Sequence, residues 1–548
     1  MKRIITLISL AIVLTMTVKA QEWRDELLSK NAGVIDSIVL LIDPEYERDN
    51  YESYMIYYKQ PIQHDAPEEG SLPLRSLILV NTKKSDFYNQ TVQMYIGGYE
   101  LDEGLIASPN TWADEYSLFF NTGEISGMYK GIFIMPEHRL YGKSRTDDYA
   151  TYLTFCNAKE AAADFHALAE SIKKVFNGPW AITGVSKGGV AAAIQHAFYP
   201  DDADLFIPYV SPFPNGVEDL RIQDYWLTKP WTPELREHAL HIMKEILNRP
   251  KVLETFVSFK GDKNLDVHDP KNLCPFLYTA ICLLEEKNRQ EKDRREIEQI
   301  FHDNQEMLKK EGLSDYTDAM LVYMLRGSVS KTYFIDEFFK EWEGFFFDDN
   351  NSSTTRAQEL PSNLSSDNIY SYQSLTELGY FDISFEPYYE TQAEADYVSS
   401  IWKQYRKHLV LHNTPEVYDS FEFDPSLLEF VKQQTANAKK PILFIYGEDD
   451  PWTGACIDDE YINGDNVRKY ILPAQTHTAC INLIQDSDND LKEELLDFID
   501  KALIPQSTAI TNISADDANS DIYNLNGRRM NGVPERGIFL QKGKKVIK

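Results

Sequence analysis

Basic residues are scarce: Lys and Arg total 55 against 86 Asp and Glu in 548 residues, a formal net charge of -31. A field of that sign repels nucleic acid and anionic lipid, so polyanions are excluded as partners. Cysteine is scarce too. The five are Cys156, Cys274, Cys282, Cys456 and Cys480. An odd count in an exported chain leaves at least one thiol unpaired, which excludes a disulfide scaffold. Cys274 and Cys282 are too widely spaced to pair on one helix, whereas a bridge between Cys456 and Cys480 stays open. There is no Cys-x-x-Cys and no Cys/His cluster, so no zinc site is expected. Long apolar runs are lacking beyond the start of the chain, and none reaches the ~20 residues that cross a bilayer.

What the chain does have begins at its N-terminus. Met1-Lys2-Arg3, the apolar run Ile4 to Met16, and Val18-Lys19-Ala20 form the charged, greasy and small-residue regions of a secretory signal peptide. Residues 1–20 are therefore expected to be removed, leaving a periplasmic, cell-surface or secreted protein with no integral membrane segment. No Cys follows the small-residue site, which argues against a lipoprotein. The full sequence is 43% apolar and 12% aromatic, ample material for a packed core.

From about Ser71 to Phe213, short β-rich runs alternate with amphipathic helices, the pattern of a mostly parallel sheet covered on both faces. The runs centre on Leu77–Val80, Gln93–Ile96, Gly131–Met135, Trp180–Thr183 and Phe206–Val210. Ala161, Phe165, Leu168, Ile172 and Val175 recur at steps of three and four, one apolar helix face, with Asn157 and Glu160 as its capping box. Between about Asn215 and Leu428 the texture changes to long charged helical stretches, the mark of a helical insertion. Buried-strand signals return at Pro441–Tyr446 and Val467–Leu472, followed by a helix with Leu491, Leu495, Phe498 and Ala502 on one face. These shifts give five segments: a signal peptide (1–20), a first α/β part (21–214), a helical lid insertion (215–432), a second α/β part (433–505) and a small β appendage (506–548).

Thr183-Gly184-Val185-Ser186-Lys187-Gly188-Gly189 lies between a strand and an Ala-rich helix, the setting of a G-x-S-x-G nucleophile elbow. The sharp turn strains the central residue, and Gly184 and Gly188 remove the side chains that would clash. On such a fold the partners follow in the order Ser, Asp, His. His477 alone of the eleven histidines lies beyond the returning strand, so it is the candidate base. Glu448, Asp449 and Asp450 follow that strand. Asp450 is the expected acid because Pro451 fixes its backbone, while the other two read as solvated loop charges. The oxyanion hole would use the backbone N–H of Lys187 and one from Gly98 or Tyr99, in the Gly97-Gly98-Tyr99 loop after an earlier strand. Glu137 and Arg139 suggest a buried ion pair; the sharper alternative gives Glu137 a substrate amine.

The stretch Trp180-x-x-Thr183-Gly184-x-Ser186-Lys187-Gly188-Gly189, with Phe198-Tyr199-Pro200-Asp201-Asp202, Tyr209-Val210-x-Pro212 and Asp450-Pro451-Trp452, resembles the secreted bacterial prolyl tri- and tetrapeptidyl aminopeptidases. Glu137 to Ser144 instead looks like the related prolyl carboxypeptidase and dipeptidyl peptidase II family. The resemblance covers roughly Leu77 to Phe213 and Lys440 to Ile484, and the lid matches neither family. It implies an α/β-hydrolase fold and a serine exopeptidase that cuts peptides, after Pro, with no metal or organic cofactor. An acidic chain favours the cationic end of a peptide, hence release from the N-terminus. The rivals are a carboxylesterase or lipase on the same fold, a prolyl carboxypeptidase-like enzyme, and a hydrolase fold without activity. The charged insertion counts against greasy substrates. The tail, with Tyr523-Asn524-Leu525-Asn526-Gly527-Arg528 and Gly537-Ile538-Phe539-Leu540, is similar to C-terminal sorting-type segments of exported Bacteroidota proteins, which implies export machinery as a partner.

Overall fold

The computed structural model describes residues 22–41, 51–101, 123–145, 155–228 and 421–504, with parts of 366–403 and of 522–547. By its contacts the chain divides into Met1–Ile484 and Gln485–Lys548.

Among the described residues, the first unit is organised by nine strands: β1 (Ile35–Leu41), β2 (Tyr51–Pro61), β3 (Ser71–Asn81), β4 (Val92–Ile96), β5 (Ile132–Pro136), β6 (Trp180–Val185), β7 (Leu205–Tyr209), β8 (Ile442–Gly447) and β9 (Val467–Leu472). Every residue of β4, β7 and β8 is buried. That is why these strands read as apolar runs, interrupted only by the buried Gln93 of β4: central strands of a parallel sheet are covered on both faces. The order across the sheet is β1-β2-β3-β5-β4-β6-β7-β8-β9. β1, β2, β3 and β5 pair antiparallel in turn, and the pairs from β5 through β4 to β9 are parallel. From β2 onward this is the strand order of an α/β-hydrolase, with the second strand reversed.

The helices that bear on the site are α1 (Glu124–Tyr129), α2 (Ala158–Lys173), α3 (Lys187–Phe198), α4 (Arg221–Thr228), α5 (Ser366–Gln373) and α6 (Ser426–Ala436). The Asn157 side chain accepts the N–H of Glu160 at 2.9 Å and caps α2, whose Ala161, Phe165, Leu168 and Ile172 enter the core. Glu160 does its own work elsewhere, accepting the N–H of His64 at 2.9 Å.

β5 and β6 flank β4 on opposite sides, so the chain reverses its direction of travel across the sheet at β4. Crevices that bind ligands form at such reversals, beyond the C-terminal strand ends. Gly97-Gly98-Tyr99 follows β4 there, Ser186 follows β6, Asp450 follows β8 and His477 follows β9. The two ends of the described insertion also meet: Asp219 bridges Phe381, and the Asp219 N–H donates to the Tyr380 carbonyl at 3.1 Å.

The second unit holds α7 (Asn489–Leu503) and a four-stranded antiparallel sheet of β10 (Ile522–Asn524), β11 (Arg529–Met530), β12 (Ile538–Gln541) and β13 (Lys544–Ile547), ordered β11-β10-β12-β13. In α7 the buried positions are Leu495, Ile499 and Leu503, a face rotated from the one expected from the sequence. No helix among the described residues is long and apolar enough to cross a membrane, and the expected signal peptide lies outside them.

Candidate active site

Ser186 stands between β6 and α3 with φ 58° and ψ -121°, a strained backbone for a residue bearing a Cβ. The hydrogen bond from its N–H to the Tyr209 carbonyl, at 3.0 Å, ties the turn to the end of β7. Gly188 makes the turn feasible, because a Cβ there would lie 2.1 Å from the Ile96 carbonyl oxygen. Ser186 is half-buried, at the edge of the sheet.

His477 Nδ1 lies 2.7 Å from Asp450 Oδ2. The carboxylate is fully buried, while the imidazole is 31% exposed. Asp450 Oδ1 accepts the Trp452 N–H at 3.1 Å, which caps the short turn begun by Pro451. In the tautomer with the proton on Nδ1, that nitrogen donates to Asp450 Oδ2 and Nε2 keeps its lone pair. Asp449, expected as a solvated loop charge, is instead buried, and its N–H donates to the Gln475 carbonyl at 2.8 Å. Glu448 Oε2 accepts the Ala474 N–H at 3.2 Å.

The loop after β4 packs directly on the start of α3. Gly98 has φ +83°, and a Cβ there would stand 3.1 Å from Gly188 N. Lys187, the first residue of α3, has its side chain buried under this loop, where it donates to the Gly98 carbonyl and, at 2.9 Å, to the Tyr141 hydroxyl. Burial pushes its ammonium down to about 7. Sequence reasoning assigned this residue a backbone role only.

Glu137 corrects the expectations placed on it. It is wholly buried and pairs with Arg75, Nε to Oε2 at 2.9 Å and Nη2 to Oε1 at 2.6 Å. It also accepts the N–H groups of Leu101 (3.0 Å) and Ser144 (2.7 Å). Four donors fill both oxygens, so no lone-pair site remains for a substrate amine. Arg139 is not its partner. It forms a two-point pair with Asp164, at 2.7 and 2.8 Å. Glu137 follows β5 and Arg75 lies in the antiparallel neighbour β3, where Ser76 pairs with Pro136, so the two sit opposite one another.

Glu124, another residue the sequence did not single out, braces the histidine loop. Its carboxylate accepts the N–H groups of Ile481 (3.2 Å) and Asn482 (2.6 Å) and the Tyr209 hydroxyl (2.8 Å). Cys456 and Cys480 are free thiols, as is Cys156; Cys274 and Cys282 lie outside the described residues.

The strand order, the strained Ser186 turn after β6 and the Asp450–His477 pair after β8 and β9, all at the C-terminal edge of this sheet, define an α/β-hydrolase fold. The model of the PS-10 peptidase S37 family matches residues 17–271. The chain is 28% identical over 169 residues to the prolyl tri/tetrapeptidyl aminopeptidase of Streptomyces mobaraensis, a match spanning 31% of this chain and 30% of that relative. Among solved structures, prolyl oligopeptidase B from Galerina marginata is 20% identical over 31% of this chain and 22% of that one, with TM-score 0.22. The peroxisomal α/β-hydrolase Lpx1 from Saccharomyces cerevisiae is 10% identical, covering 85% and 94%, with TM-score 0.34. The family model thus covers just under half of the 548 residues, and the chain spans about a third of the length of the curated relative it matches.

Proposed function

We propose that the chain is an exported serine exopeptidase that releases short peptides from the N-terminus of its substrates, after proline, through an acyl-enzyme on Ser186. The observation that carries this reading is the 2.7 Å Asp450–His477 pair at the same sheet edge as the Ser186 elbow. Ser186 Oγ attacks the scissile carbonyl while His477 Nε2 takes its proton, and Asp450 stabilises the imidazolium. The oxyanion faces the Lys187 N–H and a second N–H from Gly98 or Tyr99. Collapse of the tetrahedral intermediate breaks the C–N bond, and the leaving amine takes the proton from His477. Water then attacks the acyl carbon as His477 takes its proton; collapse breaks the bond to Ser186 Oγ, which receives that proton from His477, and the peptide leaves with a new carboxylate.

A prolyl ring has an apolar wall to meet. The Trp452 ring centre lies 6.4 Å from that of His477, and Phe381 packs edge-on against Trp452 at 5.5 Å. Aromatic faces beside the reacting centre suit a flat apolar residue at the cleaved bond. The charge of -31 favours a cationic amine at the entering end, and the signal-peptide pattern of residues 1–20 supports export.

The test is a panel of Pro-containing tri- and tetrapeptide p-nitroanilides, with free and acetylated N-termini, beside short-chain esters. Acetylation is expected to lower kcat/KM by at least ~30-fold, the loss of a charge-assisted contact. Equal cleavage of blocked and free peptides, with sensitivity to C-terminal amidation, would assign the enzyme to the carboxypeptidases instead.

A further inference from the structure

Lys187 is 5% exposed, next in sequence to Ser186, and bears a side chain that helix α3 does not require. Its Nζ lies 4.6 Å from the ring centre of Tyr99, 4.3 Å from that of Tyr141 and 5.7 Å from that of Tyr370. Its hydrogen bonds go to the Gly98 carbonyl and the Tyr141 hydroxyl, and that hydroxyl in turn donates to Gln373 Oε1 at 3.1 Å. These contacts join three parts of the chain: the loop after β4, the loop after β5, and helix α5 at the returning end of the insertion. A buried ammonium is expensive, and an apolar side chain of the same size would hold the core at least as well. Its presence therefore needs a reason other than stability.

Resting on the hydrolase reading above, we propose that the Lys187 side chain is a positioning residue: it fixes the Gly98–Tyr99 peptide of the oxyanion loop and ties that setting, through Tyr141 and Gln373, to the end of the insertion. A peptide unit is planar, so holding the Gly98 carbonyl also orients the N–H on the other side of the same plane. The three tyrosine faces and two oxygen acceptors reward the charged form specifically. Loss of the proton weakens every one of these contacts at once.

The groups that face Lys187 decide how it titrates. Glu100, just past the oxyanion loop, and Glu377, after α5, raise its proton affinity, as does Cys156, while burial lowers it more than these restore. Cys156 is itself pushed up to about 12, and so stays a thiol, and His138 is held well below its ordinary value by burial and then by Lys187, and so stays neutral. Tyr141 is pushed up by burial and remains a hydroxyl. Lys187 thus changes charge near neutrality, in a cluster whose Cys156, His138 and Tyr141 members do not, while Glu377, pushed up to about 7 chiefly by burial, changes charge in the same range.

The experiment uses the full chain with p-nitrophenyl acetate and Ala-Ala-Pro-p-nitroanilide, comparing wild type, Lys187→Met and Tyr141→Phe. The ester reports the oxyanion site whatever the peptide preference. Lys187→Met is expected to lower kcat on both substrates by ~10²-fold with KM within about threefold, the scale of a misplaced oxyanion donor. Wild-type kcat should fall as pH rises through the range near 7 and above where Lys187 loses its proton, and the Met variant should lack that limb. Tyr141→Phe keeps the ring and removes one acceptor, so its limb should move to lower pH with little change in Tm. Lys187→Met with unchanged kcat, or a limb that Tyr141→Phe leaves in place, would overturn the proposal. If Lys187→Met fails to fold, the position of the limb in Tyr141→Phe decides alone. Ester turnover with the peptide untouched would count against the exopeptidase reading only, and a wild type inert to both would remove that reading and this inference together.

Discussion

Asp450 and His477, 27 positions apart in sequence, are joined by a 2.7 Å hydrogen bond because β8 and β9 are parallel neighbours whose loops leave the same sheet edge. The bond selects Asp450 from three adjacent carboxylates. Asp450→Asn should therefore lower kcat by about 10³ to 10⁴-fold while preserving the fold, since the amide would present the wrong partner to Nδ1. Asp449→Asn should leave kcat within a few-fold. Steady-state kinetics on both variants check this, and the reverse ranking would move the acid to Asp449.

Glu137 and Arg75 make a second, structural prediction. Breaking a buried pair strands the remaining charge and costs about 3–5 kcal/mol. Glu137→Gln should accordingly lower the denaturant midpoint sharply, whereas Michaelis constants for free and acetylated peptides should change in proportion to each other. A selective loss of affinity for the free amine would restore a substrate role to Glu137.

The elbow is tested by Gly188→Ala. A Cβ 2.1 Å from the Ile96 carbonyl oxygen cannot be accommodated without moving β4 or α3. The variant should lose at least ~2 kcal/mol of stability or activity by more than ~10²-fold, because the shift separates the oxyanion loop from Ser186. Normal stability and turnover together would show that β4 and α3 are not held as described.

Lys187 gives the pH dependence of stability. Its folded-state value of about 7 lies below the ~10.4 of an unfolded lysine, so the unfolded chain binds more protons between those values. Stability from this group rises with pH across that window, and below it the cost of a buried ammonium is fully present. Lys187→Met should therefore gain stability relative to wild type at pH 6 compared with pH 9. Urea melts at both values measure it; a relative gain at pH 9 instead would reverse the sign.

Much of this was legible in the sequence, and the gaps have physical causes. Most of β3 through β8 was readable because doubly covered strands leave apolar runs, as in Ile442-Leu443-Phe444-Ile445-Tyr446, whereas the edge strand β9 carries Arg468 and Lys469 and showed mainly through its flanking Val467 and Ile471-Leu472. β1 and β2 were not, since the pattern of Tyr51–Pro61 mixes buried Gln60 and exposed Lys59 and Tyr57 among its aromatics. Ser186, Asp450 and His477 stand out as candidates from motif and chain order, and the structure joins two of them, Asp450 and His477, by a hydrogen bond. The partner of Glu137 could not, because it depends on β3 lying beside β5, a neighbour 62 residues away. Nor could the Lys187 cage, whose tyrosines come from three separate segments.

The central claim is that Ser186 is the nucleophile. Incubation of the full chain with a fluorophosphonate, followed by peptide mapping in a mass spectrometer, tests it most directly. One adduct per chain on Ser186 is expected, with loss of peptide cleavage in step with labelling and labelling slowed by ~10³-fold or more in His477→Ala. Full inactivation with the adduct on another residue, or undiminished cleavage by a Ser186→Ala chain, would contradict it.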